Sequence, residues 1–581
     1  MEHLQWFWGY AKKRVPKLAA GLVISLCVSM LGMVSPYVSG KIVGSIQDGT
    51  WEATLFASLA VIVGAAFARA VLRYIMLRVF ERASQDLVLE MRNDTYAWIH
   101  RQNFSFFDSN RVGDIMARMT GDLDAIRHFV AYVIYGSVEN LVIFIAAITL
   151  MFIVSWQLAL LMLLTAPVIF ASGFRQAKEI KPAFFQIREK FSRLNTVCEE
   201  NIGGNRVVKA FTKEDQEIAK FTEANNEFYN SHINANSIWV KHLPILEFCA
   251  GILNVFLLCG GGILCALGRL QLWQLVAVNG YLWAVSNPLR QMGFLINDTQ
   301  NFFASVDKIF GMVRKKIYIE TPEDAAKPER LIGKVEFEQV SFKYDRHGKI
   351  TELDNISFVA EPGETIGIVG ATGAGKSTLV SLISRFYDTS SGRVLVDGKD
   401  VREYDLQALR RNIAMASQDV FLFSDTVEGN IAYGDPEAPV EMVEDSARDA
   451  CAHSFILEME DGYDSIVGER GVGLSGGQKQ RLSLARAFAA DPAILILDDT
   501  TSAVDMETEH EMQKALKRRS SKCTTFIIAH RISSVKNASK ILFMENGRIA
   551  EQGTHEELLA LKGRYYGMFV SQYGDFAKKV G

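Results

Sequence analysis

A glycine-rich run in the second half of the chain has the residue types and spacing of a phosphate-binding loop. It follows an apolar run at 365–369 that is typical of a buried strand, and a helical stretch, Leu379–Arg385, comes after it. In the pattern GxxxxGK[ST], backbone N–H groups surround a β-phosphate, the lysine reaches the β- and γ-oxygens and the hydroxyl ligates Mg²⁺. The candidate ATP-binding residues are Gly370, Thr372, Gly373, Ala374, Gly375, Lys376, Ser377 and Thr378.

Two adjacent aspartates follow a second apolar strand at 493–497. At the end of such a strand, Asp498 is placed to hold Mg²⁺ through water, and Asp499 to orient an attacking water. As an isolated pair, they could equally form an ordinary turn at the end of a strand. The phosphate loop favours the interpretation as a nucleotide site.

A third motif lies between these two. It comprises Leu474, Ser475, Gly476, Gly477 and Gln478. Small residues at the start of a helix leave N–H groups free for an anion, and the helix dipole favours negative charge there. This motif alone would be weak evidence for function.

The first half of the chain is built differently, because it contains six apolar runs. Each is close to the roughly 20 residues that a membrane-crossing helix needs. The predicted spans are 18–38, 54–77, 129–153, 158–174, 243–267 and 272–296. Six such runs in 300 residues argue against buried helices of a large soluble protein.

Lysine and arginine concentrate in two long connections, 78–128 and 175–242, whereas the short connections carry only Lys41 and Arg269. By the positive-inside rule, both long connections and both termini are predicted to be cytoplasmic. Charged and apolar residues alternate at helical spacing in these connections. We therefore expect the membrane helices to extend well into the cytoplasm and then turn back.

The composition of the 581 residues limits the possible classes of protein. A net charge of −4 argues against nucleic-acid binding through overall basicity. The seven cysteines show no CxxC pair, so neither a disulfide framework nor a zinc site is expected. The predicted fold is an all-α domain of six membrane helices with long cytoplasmic extensions (1–312), a linker (313–333) and an α/β P-loop nucleotide-binding domain (334–581).

The order and spacing of the motifs resemble a known family. LSGGQ precedes the strand ending in Asp498 by the length of a helix, and His530 follows the next strand, Thr524–Ile528. In this order the chain resembles a half-transporter of the ATP-binding cassette (ABC) exporter family. The runs Phe106-Phe107-Asp108 and Val207-Val208-Lys209 resemble cytoplasmic loop motifs of that family.

The resemblance implies roles for further residues. Tyr344 would stack on adenine, Gln418 would contact Mg²⁺ and the attacking water, and His530 would contact the γ-phosphate. Ser502 and Asp505 would lie in a loop that crosses a dimer interface, and LSGGQ would complete the partner's ATP site. Short coupling helices are expected near Arg111–Arg118 and Phe211–Glu217. ATP and Mg²⁺ are the implied cofactors.

One residue departs from the family pattern, because Asp499 stands where glutamate is usual. The shorter side chain loses about 1.5 Å of reach, and a misplacement of about 1 Å can cost roughly 100-fold in rate. The chain thus resembles the degenerate-site subunit of a heterodimeric bacterial multidrug exporter, which binds ATP and hydrolyses it slowly. The expected partners are a second half-transporter, membrane lipid and a small hydrophobic or amphipathic cargo, with no nucleic acid.

Alternatives remain open at this point. A homodimeric lipid or drug exporter and an ATP-gated channel share the same motifs. A transport measurement would distinguish them, because an exporter moves its substrate in one direction against a gradient, whereas a channel conducts passively. A peptide exporter with a leader peptidase is disfavoured because the first span begins near residue 18, and an importer because membrane domain and cassette share one chain. We expect a multi-pass protein of the plasma membrane.

Overall fold

The computed structural model describes residues 2–163, 166–315, 319–345, 350–468, 471–500, 506–520 and 523–574. The chain divides into two compact units. The first comprises Met1–His100 and Val112–Lys315, and the second Arg101–Arg111 and Lys316–Gly581. The segment Arg101–Arg111 therefore belongs with the second unit, although it lies within the first in sequence.

The described residues of the first unit form helices joined by short turns, as the apolar periodicity predicts. Its longest helix has 53 residues and would extend about 80 Å, whereas a bilayer core is about 30 Å thick. The long helices therefore extend far beyond a membrane, as expected. The α-helices are Glu2–Ala11, Val15–Gly32, Val34–Gln47, Trp51–His100, Phe104–Ser109 (in the second unit), Val112–Ala117, Leu123–His128, Ile134–Val154, Trp156–Leu163, Ala166–Gly203, Asn205–Ala210, Glu214–Ala266 and Leu272–Val313.

Three helical stretches of the described chain are long and apolar enough to cross a membrane: Glu2–Gln47, Thr54–His100 and Val112–Val154. They contain the first three predicted spans. The fourth predicted span runs through residues 164 and 165, which lie outside the described residues. The fifth and sixth lie in Glu214–Ala266 and Leu272–Val313, and the count of six spans stays a prediction.

Close helix packing in this unit depends on small residues. A Cβ on Gly40 would lie 2.6 Å from the carbonyl oxygen of Trp273, and one on Gly280 would lie 2.8 Å from Pro36. The helices Val34–Gln47 and Leu272–Val313 can approach closely because these positions carry no side chain. The fully buried Tyr281 of the second helix donates a hydrogen bond of 3.0 Å to the carbonyl oxygen of Met33.

The second unit is an α/β domain with twelve described strands and two main sheets. A six-stranded sheet has the order β12-β11-β3-β10-β9-β6, with β12 antiparallel at its edge, and a four-stranded antiparallel sheet has the order β2-β1-β4-β5. The strands are β1 (Val335–Phe342), β2 (Leu353–Ala360), β3 (Thr365–Gly370), β4 (Ser391–Val396), β5 (Lys399–Asp400), β6 (Ile413–Ala416), β7 (Asp425–Thr426), β8 (Ile466–Val467), β9 (Ile494–Asp498), β10 (Thr524–Ile528), β11 (Lys540–Glu545) and β12 (Arg548–Gly553).

The strands that carry the motifs share one register. Ile528 of β10 pairs with Ile368 of β3 on one side and with Asp498 of β9 on the other. The carboxyl ends of these parallel strands therefore lie side by side, at the edge where α/β sheets bind ligands. The helices of this domain are Lys376–Ile383, Leu406–Arg411, Val427–Ile431, Val440–Asp449, His453–Leu457, Gly476–Ala489, Met506–Ser520, His555–Leu561 and Arg564–Tyr573.

Candidate nucleotide-binding site

The phosphate loop connects β3 to the helix Lys376–Ile383, which begins three residues earlier than the sequence indicates. Gly375 has a φ of +92°, and a Cβ there would lie 2.7 Å from the carbonyl oxygen of Glu352. Gly370 is similarly restricted, because a Cβ would lie 2.2 Å from the carbonyl oxygen of Met544. Only glycine fits these two positions, so they determine the path of the loop.

Lys376 lies beneath this loop. Its ammonium group donates hydrogen bonds of 2.9 Å to the carbonyl oxygens of Gly370 and Ala371, and the residue is 6% exposed. Burial lowers the pKa of Lys376, while the charges of Asp498 and Asp499 act in the opposite direction. The loop's own carbonyls thus hold a buried cation where a phosphate would neutralise it.

Asp498 and Ser377 supply oxygen donors beside the lysine. Burial raises the pKa of Asp498, whereas a hydrogen bond to the Ser377 side chain lowers it. Among the described residues, no three His, Cys, Asp or Glu side chains group together as a metal site. One hydroxyl and one carboxylate nevertheless fit Mg²⁺, which keeps several waters and takes its other ligands from substrate phosphates.

Asp499 follows the strand with a backbone that is held from both sides. Its N–H donates to the carbonyl oxygen of Ile528 at 3.0 Å, and its carbonyl oxygen accepts a long hydrogen bond of 3.5 Å from Gln480. Its φ is +50°, a left-handed conformation that aspartate tolerates better than most residues. These contacts oppose a backbone shift that would bring the shorter side chain closer to a phosphate.

His530 and Gln418 extend from two strands that end at the same edge of the sheet and are separated by β9. His530 follows β10, Gln418 follows β6, and both side chains are exposed. The backbone carbonyl of His530 accepts a hydrogen bond of 2.7 Å from Gln572 in the C-terminal helix. Gln572 was not identified from the sequence, since a glutamine on an exposed helical turn carries no signal of such a contact.

Tyr344 lies next to the phosphate-loop helix. Its hydroxyl is 3.0 Å from that of Thr378, and its ring meets the edges of the Phe342 and Tyr387 rings. Burial raises the pKa of its phenol. The residue is still 47% exposed, which leaves part of the ring accessible to a base. Stacking on adenine stays a prediction.

The segment Leu474-Ser475-Gly476-Gly477-Gln478, called the signature segment below, lies at the start of the helix Gly476–Ala489, as expected. Ser475 and Gln478 form a reciprocal capping box: the Gln478 N–H donates to the Ser475 hydroxyl at 3.3 Å, and the Ser475 N–H donates to the Gln478 side chain at 2.8 Å. Leu474, Gly476 and Gly477 complete the turn. Ser502 and Asp505 lie outside the described residues.

A short helix, Val112–Ala117, lies within the first region where one was expected, and a second short helix, Phe104–Ser109, precedes it. In the other connection the short helix is Asn205–Ala210, which ends just before the expected 211–217, and Glu214 already begins the next long helix. A coupling role for these helices stays a prediction.

The helix Phe104–Ser109 packs on the second unit, to which it belongs. Phe104 lies with its ring 4.3 Å from that of Phe386, and the Tyr387 hydroxyl donates a hydrogen bond of 2.7 Å to Asp108. Burial, followed by this hydrogen bond to a carboxylate, raises the pKa of Tyr387. The segment 101–111 is thereby tied to the nucleotide domain by both a ring contact and a hydrogen bond.

Two family models match the chain. The ABC transporter transmembrane region covers residues 18–289, and the ABC transporter model covers residues 353–502. The ABC transporter ATP-binding protein YknU of Bacillus subtilis is 38% identical over 98% of this chain and 97% of its own length. The ATP-dependent lipid A-core flippase of Syntrophus aciditrophicus is 34% identical over 86% of this chain and 82% of its own.

A solved structure also matches over nearly the whole length. It is that of a bacterial Atm1-family ABC exporter with ATP bound, with a TM-score of 0.80 and 26% identity. The match covers 97% of this chain and 98% of that chain.

Proposed function

The chain belongs to the ABC exporters, with a membrane domain fused to an ATP-binding domain, and performs ATP-driven export; we propose that it is one subunit of a heterodimer. Its own ATP site binds ATP and hydrolyses it slowly, and its signature segment completes the faster site. We further propose the divisions 1–312, 313–333 and 334–581 for membrane domain, linker and cassette.

The observation that supports this proposal is the conformation of Asp499. Its side chain is one methylene shorter than glutamate, and its backbone is held by Ile528 and Gln480. Orienting a water for in-line attack tolerates little displacement. Binding is supported by the phosphate loop, by the bond from Lys376 to that loop, and by the hydrogen bond between Ser377 and Asp498. Binding is therefore expected to survive where hydrolysis is impaired.

Two copies of this chain would each have the same impaired site. A partner with glutamate at the corresponding position would instead supply a competent base, and Ser475, Gly477 and Gln478 of this chain would complete that partner's site. The capping box holds these residues at the start of a 14-residue helix, where N–H groups and the helix dipole favour a phosphate. A heterodimer with one fast and one slow ATP site thus best explains why this chain has an intact signature segment but a shortened catalytic side chain.

In the proposed cycle, ATP binding closes the two cassettes and the short helices transmit the closure to the membrane helices, which change from inward- to outward-facing. Lys376 would bind the β- and γ-oxygens, Ser377 and Asp498 would hold the metal, and Gln418 and His530 would contact the reacting end of the nucleotide. Mg²⁺, when bound, neutralises charge on the phosphates. Hydrolysis at the competent site resets the transporter.

We infer a hydrophobic or amphipathic small-molecule cargo, supported by the apolar membrane helices and by the lipid cargo named for one relative. Both termini and the cassette are proposed to be cytoplasmic, in the plasma membrane. Two opposite charges in the described part of the predicted spans lie close together. Arg73 lies 3.9 Å from Glu139, and the two charges neutralise each other, whereas the side chains of Glu247 and Arg290 lie outside the described residues.

The test compares substitutions in the pair formed with the co-purified partner. Asp499→Asn should leave the ATPase rate nearly unchanged, because that site contributes little. Ser475→Asp keeps a good helix cap but adds a negative charge facing the partner's γ-phosphate, and should abolish turnover. Ser475→Asn, equally good as a cap and neutral, is the matched control. Loss of turnover in Asp499→Asn with retention in Ser475→Asp would contradict the proposal.

A further inference from the structure

The segment that carries His530 is a short stretch without its own secondary structure, so its backbone must be held from outside. It leaves β10 at Ile528 and reaches the turn Ile532–Ser534 within four residues. The Ala529 N–H still donates to Ile368 of β3, at 3.2 Å. Beyond Ala529, backbone groups of the segment are bonded by side chains of two helices.

One side chain of the C-terminal helix Arg564–Tyr573 contacts two of those groups. The side-chain nitrogen of Gln572 donates to the carbonyl oxygen of His530 at 2.7 Å, and its side-chain oxygen accepts from the N–H of Ile532 at 2.9 Å. A single amide thus bridges the backbone on both sides of residue 531. Both distances are those of well-formed hydrogen bonds.

The opposite side of the same segment is held by the helix Met506–Ser520. Glu509, which is 5% exposed, accepts a hydrogen bond of 2.6 Å from the Ser534 hydroxyl. The Gln513 side chain donates to the carbonyl oxygen of Ser533 at 3.1 Å. These contacts hold residues 533 and 534, so Gln572 is the described side chain that fixes the backbone directly at His530.

The helix that carries Gln572 is itself anchored. The Glu551 carboxylate accepts hydrogen bonds from the N–H groups of Arg564 and Tyr565 at the first turn. Tyr565 is fully buried, and its hydroxyl is 2.7 Å from the His555 ring. Gln572 therefore extends from a rigid support, as a positioning group requires.

We propose that Gln572 is a positioning residue for His530, which makes the C-terminal helix part of this chain's ATP site. The inference rests on the proposed role of His530 at the γ-phosphate. The exposed His530 ring depends on its backbone for its direction, so losing the Gln572 amide lets the ring move away from the γ-phosphate. Binding of a triphosphate should then suffer more than binding of a diphosphate.

The experiment measures nucleotide binding at this chain's own site. The full chain with its partner is photolabelled with 8-azido-ATP, and this chain's band is resolved on a gel. Competition by ADP is compared with competition by an ATP analogue whose β–γ bond cannot be cleaved. Gln572→Leu should weaken the analogue about tenfold and leave ADP almost unchanged. Ser571→Ala, on the same exposed helical turn, should change neither.

A double substitution distinguishes positioning from general destabilisation. Combined with His530→Ala, Gln572→Leu should cause no further loss of the triphosphate analogue, because the group it positions is gone. Equal weakening of ADP and analogue, or a further loss in the His530→Ala background, would overturn the inference. If His530→Ala itself leaves the preference for triphosphate unchanged, the proposed role of His530 fails and the inference fails with it.

Gln572→Glu provides a second variant should Gln572→Leu fold poorly. It keeps an acceptor for the Ile532 N–H but has no donor for the His530 carbonyl oxygen, and it places a carboxylate against that carbonyl. It should weaken the analogue at least as much as the leucine substitution does. Unchanged binding of the analogue in this variant would overturn the inference as well.

Discussion

Lengthening Asp499 by one methylene, as in Asp499→Glu, should restore hydrolysis at this chain's own site. The added carbon–carbon bond gives about 1.5 Å of reach, and a misplacement of about 1 Å accounts for roughly 100-fold in rate. That factor corresponds to about 2.7 kcal/mol of barrier. Against it, the φ of +50° suits aspartate better than glutamate, a cost in stability that we expect to stay below about 1 kcal/mol.

The assay is phosphate release by the full chain in lipid nanodiscs. For the chain purified alone, in which each site pairs one copy's phosphate loop with the other copy's signature, Asp499→Glu should raise kcat by up to about 100-fold, with little change in KM for ATP. In the heterodimer the rise should be at most about twofold, because one site already works. Asp499→Asn is the control and should match the unsubstituted chain in both cases. A chain that hydrolyses ATP quickly alone, and loses this activity in Asp499→Asn, would refute the reasoning.

Two further predictions concern the shape of the nucleotide site. Tyr344→Phe keeps the ring but removes the contact with Thr378, so ATP affinity should be equal or slightly higher, whereas Tyr344→Ala should lose about tenfold through lost stacking, as measured by calorimetry. Gly375→Ala should abolish ATP binding because its Cβ would lie 2.7 Å from the Glu352 carbonyl oxygen, while Gly373→Ala, at a φ of +80° but with open space around it, should only weaken binding in the same titration.

The sequence predicted most of the cassette because its signals are local. Strand β10 lies where the sequence placed it, β3 and β9 differ from their apolar runs by one residue, and a helix begins directly after Ser475. The glycines of the phosphate loop indicated their own conformation, since positive φ and close backbone approach exclude other residues. The predicted class, a helical membrane domain followed by an α/β nucleotide-binding domain, is confirmed.

Features that depend on contacts between distant residues were not accessible to the same reasoning. The short helix 104–109 was not predicted, because its position depends on packing against Phe386 and Tyr387, about 280 residues further along the chain. Gln572 was missed for the same reason, since it is 42 residues from His530. A residue pattern reports periodicity along the chain and carries no direct signal of such tertiary hydrogen bonds.

Backbone anchoring at this site also explains why the loss of one methylene at residue 499 should affect the rate of hydrolysis. Asp498 ends a buried strand between two others and Asp499 follows it, while β3 holds Ala529 and Gln572 holds His530. Where the backbone can move, the loss of a methylene can be absorbed by a small shift. Here such a shift would break the hydrogen bond between the Asp499 N–H and Ile528, at a cost of about 1 kcal/mol, so even a fully compensating shift would leave hydrolysis about fivefold slower. Side-chain length is therefore expected to translate directly into the position of the water, and the identity of residue 499 should govern which of two paired sites performs the hydrolysis.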